Sequence, residues 1–245
     1  DSKQDANSPA RLALLGELGR ALEEGQLVLH YQPKADLGTG RITGVEALVR
    51  WQHPTRGLLA PDEFIPLAER TGLIRQLTLI VLDDALSQAA RWAAAGRPLA
   101  VAVNISARSL LDLDLRDDVA TALERYGVPG GSLVLEITES SVMVDPDRAL
   151  EVLRSLAALG VSLSLDDFGT GYSSLAHLQR LPVHELKIDR SFVMNLTADT
   201  NDVIVSASID LAHNLGLHVI AEGVEDQATW DRLAELGCQS AQGYL

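Results

Sequence analysis

From Pro98 onward, six short apolar segments of strand length follow one another, and helical spacing fills the gaps between them. The strands are PLAVAVNIS, SLVLEITES, VSLSLDD, HELKIDRSF, LHVIAEGVE and CQSAQGYL. Between them the spacing predicts helices over 113–126, 147–159, a short turn after VSLSLDD, and helices over 200–215 and 228–236. Parallel strands need crossovers of about a dozen residues, and helices on such crossovers lead to a closed barrel or an open doubly wound sheet. No glycine-rich dinucleotide turn follows the first strand, which favours the barrel. Two further strands precede this series, QLVLHYQP and ITGVEALVRW, joined by KADLGTGR with its two glycines. So short and turn-rich a connection predicts a hairpin. The expected fold class is therefore α/β, a (β/α)₈ TIM-like barrel of eight strands with an antiparallel first strand.

The remaining elements fit that plan. Leu12, Leu14, Leu15, Leu18 and Leu22 recur at helical spacing, so 11–24 should be an amphipathic helix with Ser8 or Asn7 near its N-cap. PDEFIPLAERTG places proline in a first turn and ends at Gly72, and a longer helix over 73–95 is closed by Gly96. The polar tract over residues 1–10 reads as a linker from an upstream domain, leaving 11–245 as one domain.

Charge and composition narrow the function. With 20 Lys plus Arg against 34 Asp plus Glu, the formal charge is -14, which opposes tracking along a polymeric nucleic acid but allows a small anion held through metal ions. One cysteine, Cys238, forms no internal disulfide and suits a reducing, cytoplasmic setting. The six histidines show no HxxH or HExxH spacing, so a hard cation with oxygen ligands is the expected metal rather than zinc. The most apolar run, from Leu77, is broken by Asp83 and Asp84, so no membrane contact is expected.

A barrel places its site at the C-terminal ends of its strands, which gives the fold expectation a functional test. In VSLSLDDFGTGYSSL, Asp166 is in phase with Ser162 and Ser164 at a strand end, with Asp167 beside it and Gly169 and Gly171 following. Taken alone, an Asp-Asp pair reads as a polar turn. Asn104, Glu136, Lys187, Glu222 and Gln242 occupy corresponding places on their strands, and Glu46 and Arg50 are in phase on the second. Singly, each could be a cap or an ion pair. Together they converge on one rim, where carboxylates so crowded repel one another unless cations intervene.

The motifs YQP at 31–33, EALVRW at 46–51, VNIS at 103–106, EITES at 136–140, DDFGTGYSSL at 166–175, LKID at 186–189, AEGVE at 221–225 and QGYL at 242–245 resemble the EAL-domain cyclic di-GMP phosphodiesterases of bacterial signalling. The resemblance runs from about Leu12 to the last residue, and it implies a barrel with an antiparallel first strand. It implies a first metal on Glu46, Asn104, Glu136 and Asp166, and a second on Asp166 and Asp167 with Glu222 nearby. Lys187 would position and help deprotonate the attacking water, and Glu139 would steady the glycine loop after Asp167. Arg50 would grip a substrate phosphate, and Gln32 and Gln242 would touch substrate or ordered water. The cofactors implied are two Mg²⁺ or Mn²⁺ ions, with Ca²⁺ binding without turnover. The partners implied are cyclic di-GMP, a second copy in a homodimer, and an upstream GGDEF or sensory domain. The family pattern continues beyond QGY for a last segment and helix.

Two divalent ions roughly 3.5–4 Å apart can supply a nucleophile, neutralise phosphoryl oxygens and help the leaving oxygen. The expected reaction is hydrolysis of cyclic di-GMP to linear pGpG. A catalytically weak or inactive cyclic di-GMP receptor is the alternative. A Schiff-base aldolase using Lys187 ranks below both, because the surrounding acids favour the charged amine.

Overall fold

A computed structural model describes residues 9–169, 178–194, 196 and 199–245, with side chains described from residue 14 and not over 199–201. The expected linker over 1–10 lies almost wholly outside the described residues. So do the N-cap at Ser8 or Asn7 and the turn after Gly169.

Among the described residues there are nine strands: β1 Leu27–Asp36, β2 Ile42–His53, β3 Gly57–Leu59, β4 Ala100–Asn104, β5 Leu133–Thr138, β6 Ser162–Phe168, β7 Glu185–Ile188, β8 His218–Val224 and β9 Ser240–Gly243. The order β1-β9-β8-β7-β6-β5-β4-β2 is closed into a ring by the pairing of β1 with β2. β1 is antiparallel to both β2 and β9, and the other pairs of the ring are parallel. The eight-stranded barrel with an antiparallel first strand is thus as expected. β3 is an addition, a three-residue strip antiparallel to the end of β2 and outside the ring.

Helices wrap the ring: α1 Pro9–Glu23, α2 Pro61–Thr71, α3 Ile74–Ala94, α4 Ala107–Leu110, α5 Leu115–Tyr126, α6 Glu139–Met143, α7 Pro146–Ala157, α8 Arg190–Val193, α9 Asp199–Asn214 and α10 Gln227–Glu235. Their ends follow local chemistry. Gly72 closes α2 at φ 79, and the side chains of Asp145 and Asp226 accept backbone N–H groups at the starts of α7 and α10.

Strand alternation divides the interior into two layers. Outward residues such as Val101, Val103, Leu133, Leu135, Leu163, Leu186 and Val219 are fully buried against the helices. The apolar faces they meet include Val81, Leu82, Ala85 and Leu86 of α3 and Val152, Leu153 and Leu156 of α7. Burying each such side chain contributes about 1.5–3 kcal/mol. The inward positions carry the polar residues, so the hydrophobic effect builds the outer layer and leaves the lumen to chemistry.

Of the boundaries that differ from the sequence expectation, three bear on the site. HELKIDRSF is not all strand: Asp189 caps α8, its side chain accepting from Ser191 N. SLVLEITES ends as strand at Thr138, whose hydroxyl accepts from Ser141 N, so Glu139 begins a helix. KADLGTGR is not all turn, because β1 continues through Pro33 to Asp36 and puts Lys34 inside the barrel.

Candidate active site

Lys187 on β7 is fully buried and stands at the centre of the rim. Its Nζ lies 2.6 Å from Glu222 Oε1, 3.1 Å from Glu136 Oε2, and 3.3 Å from both Glu46 Oε2 and Asp166 Oδ1. These acids come from β8, β5, β2 and β6, so strands remote in sequence converge on one ammonium. Asn104, at the end of β4, donates Nδ2 to Glu46 Oε1 at 2.7 Å. Gln242 donates Nε2 to Glu46 Oε2 at 2.6 Å and to Gln32 Oε1 at 3.0 Å. Both oxygens of Glu46 are therefore held in place by amides.

Two irregularities shape the rim. The β6–β7 register shifts between Leu165 and Phe168, where Asp167 takes φ 56. The β8–β9 register shifts between Glu222 and Val224, with Gly223 at φ 73. Bulges of this kind re-aim side chains at the end of a strand. A Cβ on Gly223 would stand 2.6 Å from the Cβ of Arg190, so only glycine permits that close approach of β8 to α8.

Electrostatically the site is short of positive charge. Five carboxylates, Glu46, Glu136, Asp166, Asp167 and Glu222, share the ammoniums of Lys187 and Lys34. Burial, reinforced by Glu136, raises Glu46 above its ordinary value. Burial also raises Asp166, with Glu136 and Asp167 adding to it, and Asp167, with Asp189 adding to it. Glu222 is pushed up to about 7 by burial and by Asp166, despite its contact with Lys187. Glu136 alone goes the other way: burial opposes its charge, but Lys187 and Lys34 together hold it at about 2. Lys187 is raised well above the usual lysine value, because its four acidic neighbours outweigh the cost of burial. Lys187 is thus a permanent cation in the metal-free protein, unsuited to Schiff-base chemistry.

Among the described residues, no three of His, Cys, Asp and Glu are grouped so as to hold a metal ion, and Lys187 Nζ lies in the midst of the four acids. The donor chemistry nevertheless fits a hard divalent cation. All the donors are oxygens, and five carboxylates against two ammoniums leave a charge deficit that calls for one.

Other expected residues stand apart from this cluster. Arg50 is half-buried, with Nη1 donating to Val49 O at 2.8 Å, and makes no ion pair with the central acids. Glu139 is buried at the start of α6, its Oε2 without a hydrogen-bond partner. The loop it was expected to steady lies largely outside the described residues. Beside Asn104 opens a cavity of about 630 Å³, walled by Leu48, Val49, Ile65 and Leu77 and edged by Asp62 and Thr138. Sequence reasoning missed this groove because its wall reads as ordinary core. It also missed Lys34, whose only signal is its phase with Gln32 on the same strand.

Comparison with known proteins gives a consistent picture. A family model described as EAL domain matches residues 15–245. The chain is 49% identical to the bifunctional diguanylate cyclase/cyclic di-GMP phosphodiesterase MucR of Pseudomonas aeruginosa, over 100% of the chain and 36% of that protein. It is also 49% identical to the cyclic di-GMP phosphodiesterase NbdA of the same organism, over 94% of the chain and 30% of that protein. The chain therefore spans about a third of the length of these relatives. In structure it matches the PaMucR phosphodiesterase in its c-di-GMP complex with a TM-score of 0.91 and 49% identity, covering 95% of each chain.

Proposed function

The chain belongs to the EAL domain family, and from that premise we propose that it hydrolyses cyclic di-GMP to linear 5′-pGpG. The observation that carries this reading is the ring of carboxylates around Lys187 at the C-terminal rim, which lacks the positive charge to balance it.

Two Mg²⁺ or Mn²⁺ ions would balance the site: Glu46, Asn104, Glu136 and Asp166 would hold one, and Asp166 and Asp167, with Glu222 nearby, would hold the other. When bound, such ions neutralise phosphoryl oxygens and make water acidic enough to act as a nucleophile near neutral pH. The chain's own side chains do the rest. Lys187, cationic and fixed by four acids, orients the attacking water and adds positive charge where the transition state gathers negative charge. Asn104 and Gln242 lock Glu46 in one orientation, and Gln32 steadies Gln242. Arg50 swings from Val49 O to a substrate phosphate, and Glu139 steadies the segment after Asp167. The apolar groove beside Asn104 takes one end of the substrate and excludes water from it. Water attacks in line, its oxygen forms a bond to phosphorus as the P–O3′ bond breaks, and the proton it gives up is balanced by the one the departing O3′ takes up from solvent.

Ca²⁺ binds without supporting turnover. Its relatives extend well beyond the matched third, and the same reading joins the chain to an upstream GGDEF or sensory domain, in a cytoplasmic or membrane-anchored protein that pairs as a homodimer. Among the described residues no helix is long and apolar enough to cross a membrane.

A second reading, a cyclic di-GMP receptor with little or no activity, draws on Lys187 standing where an ion would be enclosed. Incubation with cyclic di-GMP and Mn²⁺, followed by chromatography, separates the two. The proposal expects pGpG from the wild type and none from Glu46→Gln. Tight binding of cyclic di-GMP with no pGpG at saturating Mn²⁺ would establish the receptor instead.

A further inference from the structure

Lys34 enters the barrel from below. Because β1 runs against its neighbours, its first half lies toward the rim, where Gln32 faces Glu46, and its second half descends to the floor. Lys34 pairs with Gly44 on β2 and, across the stagger of the barrel, with Gln242 on β9. It lines a floor cavity of about 210 Å³ with Gly44, Ala100 and Ala102, small residues that leave room for its stem. Its ammonium reaches up to Glu136 Oε1 at 2.6 Å, and both side chains are buried. The other oxygen, Oε2, is directed at the site's centre, where it pairs with Lys187 Nζ at 3.1 Å. The two oxygens of one carboxylate are thus treated differently, one clamped from the floor and one presented to the rim.

We infer that Lys34 is a positioning residue: by holding Oε1 of Glu136 from the barrel floor, it limits that carboxylate to a single donor oxygen, Oε2, at the cation site. This rests on the reading of the rim as a divalent-cation centre. A carboxylate free to bind through both oxygens changes the coordination of a hard cation. A Glu136 relieved of its floor charge also attracts that cation more strongly. Lys34 therefore trades affinity for geometry. Its removal should tighten metal binding while slowing turnover, whereas loss of a merely structural lysine would weaken both.

The test compares Lys34→Met, similar in length but uncharged, with Lys34→Arg, which restores the charge. Mn²⁺ is titrated into each metal-free protein and free Mn²⁺ is read by electron paramagnetic resonance, after thermal melting has checked the fold. In Lys34→Met, Mn²⁺ should bind about tenfold more tightly than in the wild type, an effect of removing one nearby like charge. Its kcat on cyclic di-GMP should fall about tenfold with KM changed by less than about threefold. Lys34→Arg should move both values back toward wild type. Unchanged or weaker Mn²⁺ binding by Lys34→Met overturns the inference, and if that variant melts too early the same titration on Lys34→Gln decides it. A wild type that binds Mn²⁺ but makes no pGpG refutes the phosphodiesterase reading alone, and the titration still judges Lys34. A wild type that binds no Mn²⁺ refutes both.

Discussion

Glu136 and Glu222 touch the same ammonium and are pushed in opposite directions. Glu136, between Lys187 and Lys34, sits at about 2, whereas Glu222, sharing Lys187 with three other acids, sits at about 7. Each makes its own contribution to stability against pH. The folded Glu222 is raised above its ordinary value of 4.5, so the stability it gives is complete below that value and is lost as pH rises to about 7. That loss is on the order of 3 kcal/mol for the metal-free protein. Glu136 is lowered, so its contribution is present above 4.5 and disappears as pH falls toward about 2. Metal-free protein should accordingly be most stable on the acid side of neutrality. Urea unfolding from pH 4.5 to 8 checks this, and Glu222→Gln should make the decline across that range shallower. An equally steep decline in that variant would mean that the pH dependence arises elsewhere.

At the scale of elements, the strand ends do most of the positioning. The bulge at Gly223 turns Glu222 toward Lys187 while letting α8 press against β8. Gly223→Ala combines an unfavourable positive φ with a clash against Arg190, and should destabilise the fold by about 1–3 kcal/mol. Denaturant unfolding measures that loss, and phosphodiesterase activity should fall with it because Glu222 moves. Alternation and helical spacing made the eight barrel strands and the main helices legible in the sequence. The places where that reading slipped share a cause. Pro33 looks like a strand terminus because it lacks an N–H, yet β1 runs on past it, so Lys34 reads as a turn residue in the sequence and is a strand residue in the fold. Thr138 and Asp189 are strand-like in pattern, but each uses its side chain to cap a short helix, which alternation cannot register.

Over the whole molecule, ring closure by β1 on β2 is what brings Glu46, Glu136, Asp166 and Glu222 to one ammonium. Their meeting at one rim was legible from phase alone, since inward positions at the C-terminal ends of barrel strands can only face each other. The centre was less legible: phase places Lys187 among the acids but not at their midpoint, and the two-lysine hold on Glu136 depends on a side chain arriving from the far end of the barrel. The central claim is that this rim is built for divalent cations. An anomalous difference map from crystals soaked in Mn²⁺ tests it most directly. The account predicts manganese peaks within coordinating distance of Asp166, with Glu46 and Glu136 turned to them and Lys187 moved off the centre. A map with no manganese at the rim, from protein that nonetheless releases pGpG in Mn²⁺, would contradict it.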